Sequence, residues 1–235
     1  MERIKISFKN LPRIVEKVEN LIKKGGVIVC PTDTVYGLIA DARNKKAVKK
    51  IFKIKKRTEK KPFPIFVKDI KMAKRLVFIN KNQEKFLTKV WPGKVTVVLK
   101  AKSRAKKIFS QSIISSENKI GLRIPNYKFL NILLEKLNFP LTGTSANISG
   151  KPPSTKIKEV LNQFKNEGYD IHRINSHGPI RIAEARVKRG RRRAFRMLIL
   201  DDGNLKSSRP STVVDLTNLK ILREGAVPKL RIFKI

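Results

Sequence analysis

The chain has 235 residues, of which 40% are hydrophobic, and 55 lysines and arginines against 18 acidic residues give a net charge of +37. This length and hydrophobic content predict a folded domain with a sizeable core and exclude a disordered basic tail. The positive charge favours a polyanionic partner such as RNA or a nucleotide. An organism whose proteins are generally rich in lysine would give the same excess of positive charge without any binding of nucleic acid.

Other classes of protein are excluded by the cysteine count and by the hydropathy pattern. The chain has one cysteine, Cys30, so it forms no intramolecular disulfide and no Cys-x-x-Cys metal or redox site. No apolar stretch approaches the roughly 18 residues needed to cross a bilayer. Residues 1–9 lack the apolar region of a signal peptide. We therefore expect a cytoplasmic protein that does not contact a membrane.

Helices and strands are predicted to alternate along the first half of the chain. Apolar residues at helical spacing predict a helix over 11–22, and the apolar run 27–30 predicts a buried strand that Pro31 stops. Similar patterns predict helices near 47–52, 70–78, 82–90, 127–137 and 155–164, and strands at 65–67, 95–99, 120–124, 141–144, 198–200, 212–214 and 220–222. This order predicts one α/β domain over residues 1–235, with helices packed on a twisted mixed sheet.

Residues 171–197 differ from the rest of the chain in composition. Eight of their nine basic residues are arginine, whereas lysine predominates elsewhere, and they contain both histidines, His172 and His177. We interpret the segment as an Arg-rich insertion or an aberrantly decoded stretch outside the core. An RNA-binding arm carried by the cluster at 189–193 is the functional alternative.

The chemistry available to the chain is restricted by its few histidines. With both histidines in that unusual segment, a Ser-His-Asp or Cys-His device and a His-based metal site are not expected. The chain also lacks the GxxxxGK[ST] and GxGxxG phosphate-binding motifs. Any catalysis would therefore depend on charged and polar groups placed around phosphates and small molecules.

Four polar clusters fit that requirement. Residues 31–38 (PTDTVYGL) and 142–150 (TGTSANISG) each follow an apolar strand, where open α/β sheets bind ligands. The alternative for the first cluster is a polar turn with capping threonines. The basic run 53–61 offers Arg57 and several lysines to phosphates, but such a run is also typical of a solvated helix end. The fourth cluster is 211–215 (STVVD), followed by 223–225 (REG).

Taken in order, these clusters resemble the YrdC-like family, the threonylcarbamoyl-AMP synthases of tRNA modification. The matching stretches are PTDTVYGL, the KxR at 55–57, WPG at 91–93, RIP at 123–125, TSANISG at 144–150, STVVD and REG. They cover about residues 20–227 apart from 171–197. The chain departs from the family pattern at Phe66, where many members have a histidine, and at Lys94, where proline is common. The resemblance implies a single-domain form whose fold presents a basic concave ligand cleft.

The resemblance also implies a reaction and a set of site residues. The family joins L-threonine, bicarbonate and ATP into threonylcarbamoyl-AMP, releases pyrophosphate and passes the product to a threonylcarbamoyl transferase complex that modifies tRNA. Mg²⁺ would accompany ATP, with no metal ligand from the protein and no tightly bound cofactor. The residues implied for threonine are Thr34, Tyr36, Arg123, Thr144 and Ser211. Those implied for ATP are Arg57, Lys61, Ser145, Asn147 and Arg223, with Lys55 and Arg57 catalytic.

Three alternatives remain open from the sequence, one of which is a regulator that binds a nucleotide without turnover. A non-catalytic module of the same fold that binds double-stranded RNA or tRNA would explain the charge, but not the uncharged clusters PTDTVYGL and TSANISG. A related enzyme that uses another carbamoyl donor, as in the larger hydrogenase-maturation proteins, would need further domains. The charge also leaves open a transient contact between the enzyme and tRNA.

Overall fold

The computed structural model describes residues 11–59, 61–174, 181–187 and 196–233. Within these ranges the helices are α1 (Leu11–Lys23), α2 (Lys45–Lys55), α3 (Ile70–Leu76), α4 (Lys81–Val90), α5 (Ser103–Ile108), α6 (Lys128–Leu137), α7 (Ile157–Asn166) and α8 (Lys229–Phe233). The strands are β1 (Val27–Cys30), β2 (Gly37–Ile39), β3 (Ile65–Phe66), β4 (Val95–Lys100), β5 (Lys119–Arg123), β6 (Leu141–Thr142), β7 (Thr144–Ser145), β8 (Tyr169–Ile174), β9 (Arg181–Val187), β10 (Arg196–Asp201), β11 (Thr212–Asp215) and β12 (Lys220–Arg223).

The mixed α/β class is confirmed, but the strands form two sheets and not the single sheet expected. In the described residues, one six-stranded sheet has the order β7-β2-β1-β10-β9-β8, and the other has the order β12-β11-β4-β5-β3-β6. Each sheet mixes parallel and antiparallel pairs: β1 runs parallel to β10 and antiparallel to β2, and β4 runs parallel to β11 and antiparallel to β5. All four residues of β1 are buried, as expected for a strand covered on both faces.

The Arg-rich segment 171–197 contributes backbone to the first sheet. Strand β9 pairs antiparallel with β10 on one side and with β8 on the other, so the segment extends the sheet at its edge. Removing it would leave β10 as the edge strand. The interpretation of this segment as an insertion stays a prediction. His177, the cluster at 189–193 and the N-terminal residues 1–9 lie outside the described residues.

The helices bury their apolar faces against the sheets and against one another. The predicted helix over 11–22 is confirmed as α1, whose apolar residues pack with those of α6 in one of two buried apolar clusters. Helix α2 begins at Asn44, whose side chain accepts a hydrogen bond from the Ala47 amide at 3.0 Å. It ends at Lys56 in the left-handed conformation, with φ at 48°. That ending turns the chain at Arg57 away from the helix axis.

Several elements were not predicted from the sequence. These are β2, α5, β7, β8, β9 and α8. The larger elements predicted from periodicity are all present within a few residues of their expected bounds. None of the helices in the described part of the chain is both long enough and apolar enough to cross a membrane.

Candidate active site

A cleft of about 530 Å³ is lined by residues from both sheets. Its walls come from the turn after β1, from β7 and from strands β4, β5, β11 and β12. Eight of the residues expected at a site line it: Thr34, Tyr36, Arg57, Arg123, Thr144, Ser145, Ser211 and Arg223. Lys55, Lys61 and Asn147 are not among the lining residues. The structure therefore brings together polar clusters that are far apart in the sequence.

The turn after β1 uses its threonines in two ways. The Thr32 hydroxyl donates to the Val35 carbonyl at 2.7 Å and accepts from the Thr34 amide at 3.0 Å, so it stabilises the turn. The Thr34 hydroxyl lines the cleft and accepts from Arg123 Nη1 at 3.1 Å. Tyr36 also lines the cleft, but its hydroxyl donates to the Gly203 carbonyl and accepts from the Asp202 amide. Burial raises the pKa of Tyr36, which keeps it neutral.

Arg123, at the end of β5, is fixed by three hydrogen bonds. Its Nε donates to the Gly93 carbonyl at 2.8 Å, its Nη1 to Thr34, and its Nη2 to Asp33 Oδ1 at 2.5 Å. Burial lowers the pKa of Arg123, and the charge of Asp33 opposes that shift. These bonds use three of the five N–H groups of a guanidinium. Two N–H groups therefore have no hydrogen bond to the described residues.

Ser211, the residue before β11, links Thr96 on β4 to Arg223 at the end of β12 within the second sheet. Its hydroxyl lies 2.8 Å from the Thr96 hydroxyl and accepts from Arg223 Nη2 at 3.2 Å. Arg223 also donates to the Ser211 carbonyl at 2.7 Å. Burial, followed by the charges of Arg123 and Arg57, lowers the pKa of Arg223. Arg223 is therefore close enough to Arg123 and to Arg57 for their positive charges to act on it.

Arg57 has few contacts within the protein. Its Nη2 donates to the Pro62 carbonyl at 3.3 Å, and its Nε is buried without a hydrogen-bond partner. Burial lowers its pKa. An arginine held this loosely in a cleft keeps most of its donors for a ligand.

Lys55 lies behind the cleft wall and contacts the loop that carries two other expected site residues. Its ammonium donates to the Ser145 carbonyl at 2.6 Å, and to the carbonyl and side-chain oxygens of Asn147 at 2.9 Å each. The Asn147 side-chain oxygen also accepts from the Ser145 hydroxyl at 2.6 Å. Burial, with a smaller contribution from Arg57, lowers the pKa of Lys55 to about 7, while the three oxygens favour its charged form. Lys61 is exposed, and Lys60 lies outside the described residues.

The site also contains residues to which the sequence assigned no role. Asp33 is the only acidic residue of the first polar cluster, PTDTVYGL, and its place in that cluster was the only feature of the sequence that pointed to a role for it. Lys119 bridges Glu117 at 2.6 Å and Asp215 at 2.9 Å on the cleft wall, and these two carboxylates raise its pKa. Glu117 lies in the turn just before β5 and is close to Lys119 in sequence, but Asp215 lies on β11, so the local sequence does not predict the complete bridge.

Phe66 is one of the positions at which the sequence departs from the pattern expected from the resemblance. Its ring is buried, lines the cleft and lies 5.7 Å from the guanidinium carbon of Arg123, within the range of a cation–π contact. A Cβ atom at Gly143 would approach this ring to 2.9 Å, so glycine is needed there to accommodate the phenylalanine. Phe66 thus presents an apolar surface beside Arg123.

No group of three or more histidine, cysteine or acidic side chains able to hold a metal ion occurs among the described residues. The two carboxylates that line the cleft, Glu117 and Asp215, both pair with Lys119. These donors do not form an all-protein magnesium site. A cation that enters on phosphate oxygens needs no such site.

The fold and the cleft define an α/β protein with a cleft between two sheets that is lined by arginines and hydroxyl groups at the ends of strands. The model of the Sua5/YciO/YrdC family, described as telomere recombination, matches residues 20–184. A putative threonylcarbamoyl-AMP synthase of Methanocaldococcus jannaschii is 32% identical over 219 residues, covering 92% of this chain and 87% of the relative. The chain belongs to the Sua5/YciO/YrdC family.

Two further relatives are longer than this chain. The threonylcarbamoyl-AMP synthase of Bacillus subtilis is 34% identical over 156 residues, covering 66% of this chain and 44% of the relative. The crystal structure of P. abyssi Sua5 complexed with L-threonine superposes with a TM-score of 0.74 at 28% identity, covering 94% of this chain and 56% of that one. The chain therefore spans about half the length of these two relatives.

Proposed function

We propose that the protein is an L-threonylcarbamoyladenylate synthase, an ATP-dependent nucleotidyltransferase. It joins L-threonine, bicarbonate and ATP into threonylcarbamoyl-AMP and releases pyrophosphate. The observation that carries this proposal is the cleft itself, in which an anchored arginine surrounded by hydroxyl groups lies close to two arginines without carboxylate partners. The names of the relatives and the threonine complex of P. abyssi Sua5 support it over a non-catalytic RNA-binding module.

Threonine binds around Arg123. The two remaining N–H groups of its guanidinium take the α-carboxylate, in the paired geometry that arginine favours. The hydroxyls of Thr34, Thr144 and Ser211 line the same cleft and provide further hydrogen-bonding groups. The rings of Tyr36 and Phe66 supply the apolar surface for the threonine methyl group.

The triphosphate of ATP binds at Arg57 and Arg223. Arg57 has an unpartnered Nε and one weak hydrogen bond, so binding a phosphate oxygen would satisfy a buried donor. Ser145 contributes its hydroxyl from the cleft wall. Mg²⁺ arrives with ATP as part of the substrate, because it prefers phosphate oxygens and water to a protein cage. Lys61, which is exposed, would reach the triphosphate from the rim.

Lys55 and Asn147 act behind the lining of the cleft. The Lys55 ammonium and the Asn147 side chain form one hydrogen-bonded unit with Ser145. This unit holds the Ser145 hydroxyl in place, so we assign Lys55 a positioning role through Ser145.

Catalysis requires no nucleophile from the protein. The threonine amine first reacts with carbon dioxide, with loss of a proton, or with bicarbonate, with release of water, to form a carbamate. A carbamate oxygen then attacks the α-phosphorus as the bond to pyrophosphate breaks. The protein contributes by holding the carbamate and the α-phosphate in line, and by neutralising the charge that develops on the phosphates. Arg57 and Arg223 are the residues placed for that second task.

The proposal is tested by measuring pyrophosphate release with ATP, Mg²⁺, bicarbonate and each amino acid in turn. Release that depends on threonine and on bicarbonate, with threonylcarbamoyl-AMP detected by mass spectrometry, would support it. Salt-sensitive RNA binding without pyrophosphate release for any amino acid would favour the binding-module alternative.

The product is passed on to a threonylcarbamoyl transferase complex that modifies the adenosine next to the tRNA anticodon. The net charge of +37 is compatible with a transient contact between this protein and tRNA during that transfer. Reconstitution of modified tRNA with the transferase complex, with and without this protein, tests the transfer.

A further inference from the structure

The three arginines that line the cleft differ in their charged partners. Arg123 pairs with Asp33 at 2.5 Å, and the two side chains are only 4% and 7% exposed. Arg57 and Arg223 donate to carbonyl or hydroxyl oxygens, and neither forms an ion pair with a carboxylate of the described residues. The charge of one arginine is thus offset within the protein, while the charges of the other two are not.

Proximity makes this difference significant. All three guanidiniums line the same cleft, and the charges of Arg123 and Arg57 both lower the pKa of Arg223. A polyphosphate attracted to Arg57 and Arg223 would also be attracted to an unpaired Arg123 nearby. It would then occupy the place of the amino acid.

Asp33 places a negative charge directly beside the Arg123 guanidinium. One of its oxygens holds Arg123, and the other, Oδ2, is buried and has no hydrogen-bond partner. The negative charge of this carboxylate is therefore not shared with a second donor, and it acts on Arg123 and on any anion that approaches that guanidinium. The repulsion grows with the charge of the incoming anion. It is weak for a zwitterionic amino acid and strong for a polyphosphate.

We propose that Asp33 is a specificity-determining residue, which acts through Arg123 to exclude polyphosphates from the amino-acid end of the cleft. Asp33 fixes the guanidinium and offsets its charge, so that a single carboxylate can bind there while a triphosphate is directed to Arg57 and Arg223. This inference rests on the proposed function, because it takes threonine as the ligand of Arg123.

The test measures threonine binding by calorimetry with and without saturating inorganic tripolyphosphate, so it does not depend on turnover. In the wild-type protein the Kd for threonine should change less than about threefold when tripolyphosphate is added. In Asp33→Asn, which keeps the size of the side chain and an acceptor for Arg123, tripolyphosphate should raise the Kd for threonine by at least about tenfold, because a unit charge close to the bound anion has been removed.

Two further variants separate charge at this site from other effects. Glu135→Gln removes one negative charge from an exposed ion pair with Lys68 and should behave as the wild type. Asp33→Glu restores the charge and should also resist tripolyphosphate. Thermal unfolding of each variant reports whether it is folded.

Each outcome bears on one proposal or the other. Equal responses of Asp33→Asn and wild type to tripolyphosphate would overturn the role of Asp33. Competition between tripolyphosphate and threonine in the wild type would overturn it too, even if Asp33→Asn does not fold. Failure of the wild type to bind threonine at all would instead refute the proposed function.

Discussion

Replacing Arg57 with alanine should separate activity from stability. In the folded protein this side chain has one hydrogen bond of 3.3 Å and a buried Nε without a partner, and burial lowers its pKa. Removing the side chain therefore breaks one weak hydrogen bond, and it also removes a partly buried charge whose desolvation opposes folding. The free energy of unfolding should change by less than about 1 kcal/mol, or a few degrees in Tm.

The same substitution should greatly slow the reaction. If Arg57 neutralises charge that develops on the phosphates, its loss removes transition-state stabilisation of about 3 kcal/mol, which corresponds to about a hundredfold lower turnover. The assay is threonine-dependent pyrophosphate release at saturating ATP, measured together with thermal unfolding of the same preparation.

The control is Lys53→Ala, which removes an exposed positive charge from the neighbouring helix α2. This variant should keep turnover within about twofold, because surface charges act weakly through water. Turnover of Arg57→Ala within about twofold of that of the wild type would contradict a role for Arg57 in neutralising phosphate charge. An equal loss of turnover in Arg57→Ala and Lys53→Ala would assign the effect to overall charge.

Three further predictions concern other parts of the site and the core. Arg123→Lys keeps the charge but loses the planar fork, so the Kd for threonine should rise about thirtyfold while that for ATP changes little; equal losses would contradict the assignment. Because the pKa of Lys55 is lowered to about 7 in the folded protein, the unfolded chain keeps this proton at pH values at which the folded chain has lost it. The free energy of unfolding, relative to that of Lys55→Met, should therefore rise from pH 7 towards 9, by at most about 1.4 kcal/mol per pH unit. A pH-independent difference in urea unfolding would refute this titration. Thr142→Val removes buried hydrogen bonds to the Ala40 amide (2.9 Å) and the Leu38 carbonyl (3.0 Å). The free energy of unfolding, measured by thermal unfolding, should fall by about 2 kcal/mol. Thr88→Val, which changes an exposed hydroxyl, is the control and should leave it unchanged.

The sequence predicted the elements whose pattern is local. Helix α1 and strand β1 were predicted because an amphipathic stripe and a fully apolar run are properties of consecutive residues. The polar clusters after β1 and around β7 could be located for the same reason, since strand ends are identified by where an apolar run stops. Family membership followed from the order of such clusters along the chain.

The short elements and the division into two sheets could not be obtained in this way. Strand β2 has three residues and β7 has two, which is too few for a period to appear. Strand β2 pairs with β1, which is close to it in the chain, and with β7, which is far from it, so the conformation of both short strands depends on a long-range contact. Tertiary context, not propensity, decides such strands.

By itself, the sequence determined the α/β class, the main helices and strands, and the residues that had to be considered for a site. Only the tertiary structure decided what those residues do for one another. It buried Lys55 against Ser145 and Asn147, 90 and 92 positions away, and it paired Arg123 with Asp33, also 90 positions away. The physical reason is that a charge is offset by whatever lies within a few ångströms of it, and the chain must fold before those distances exist.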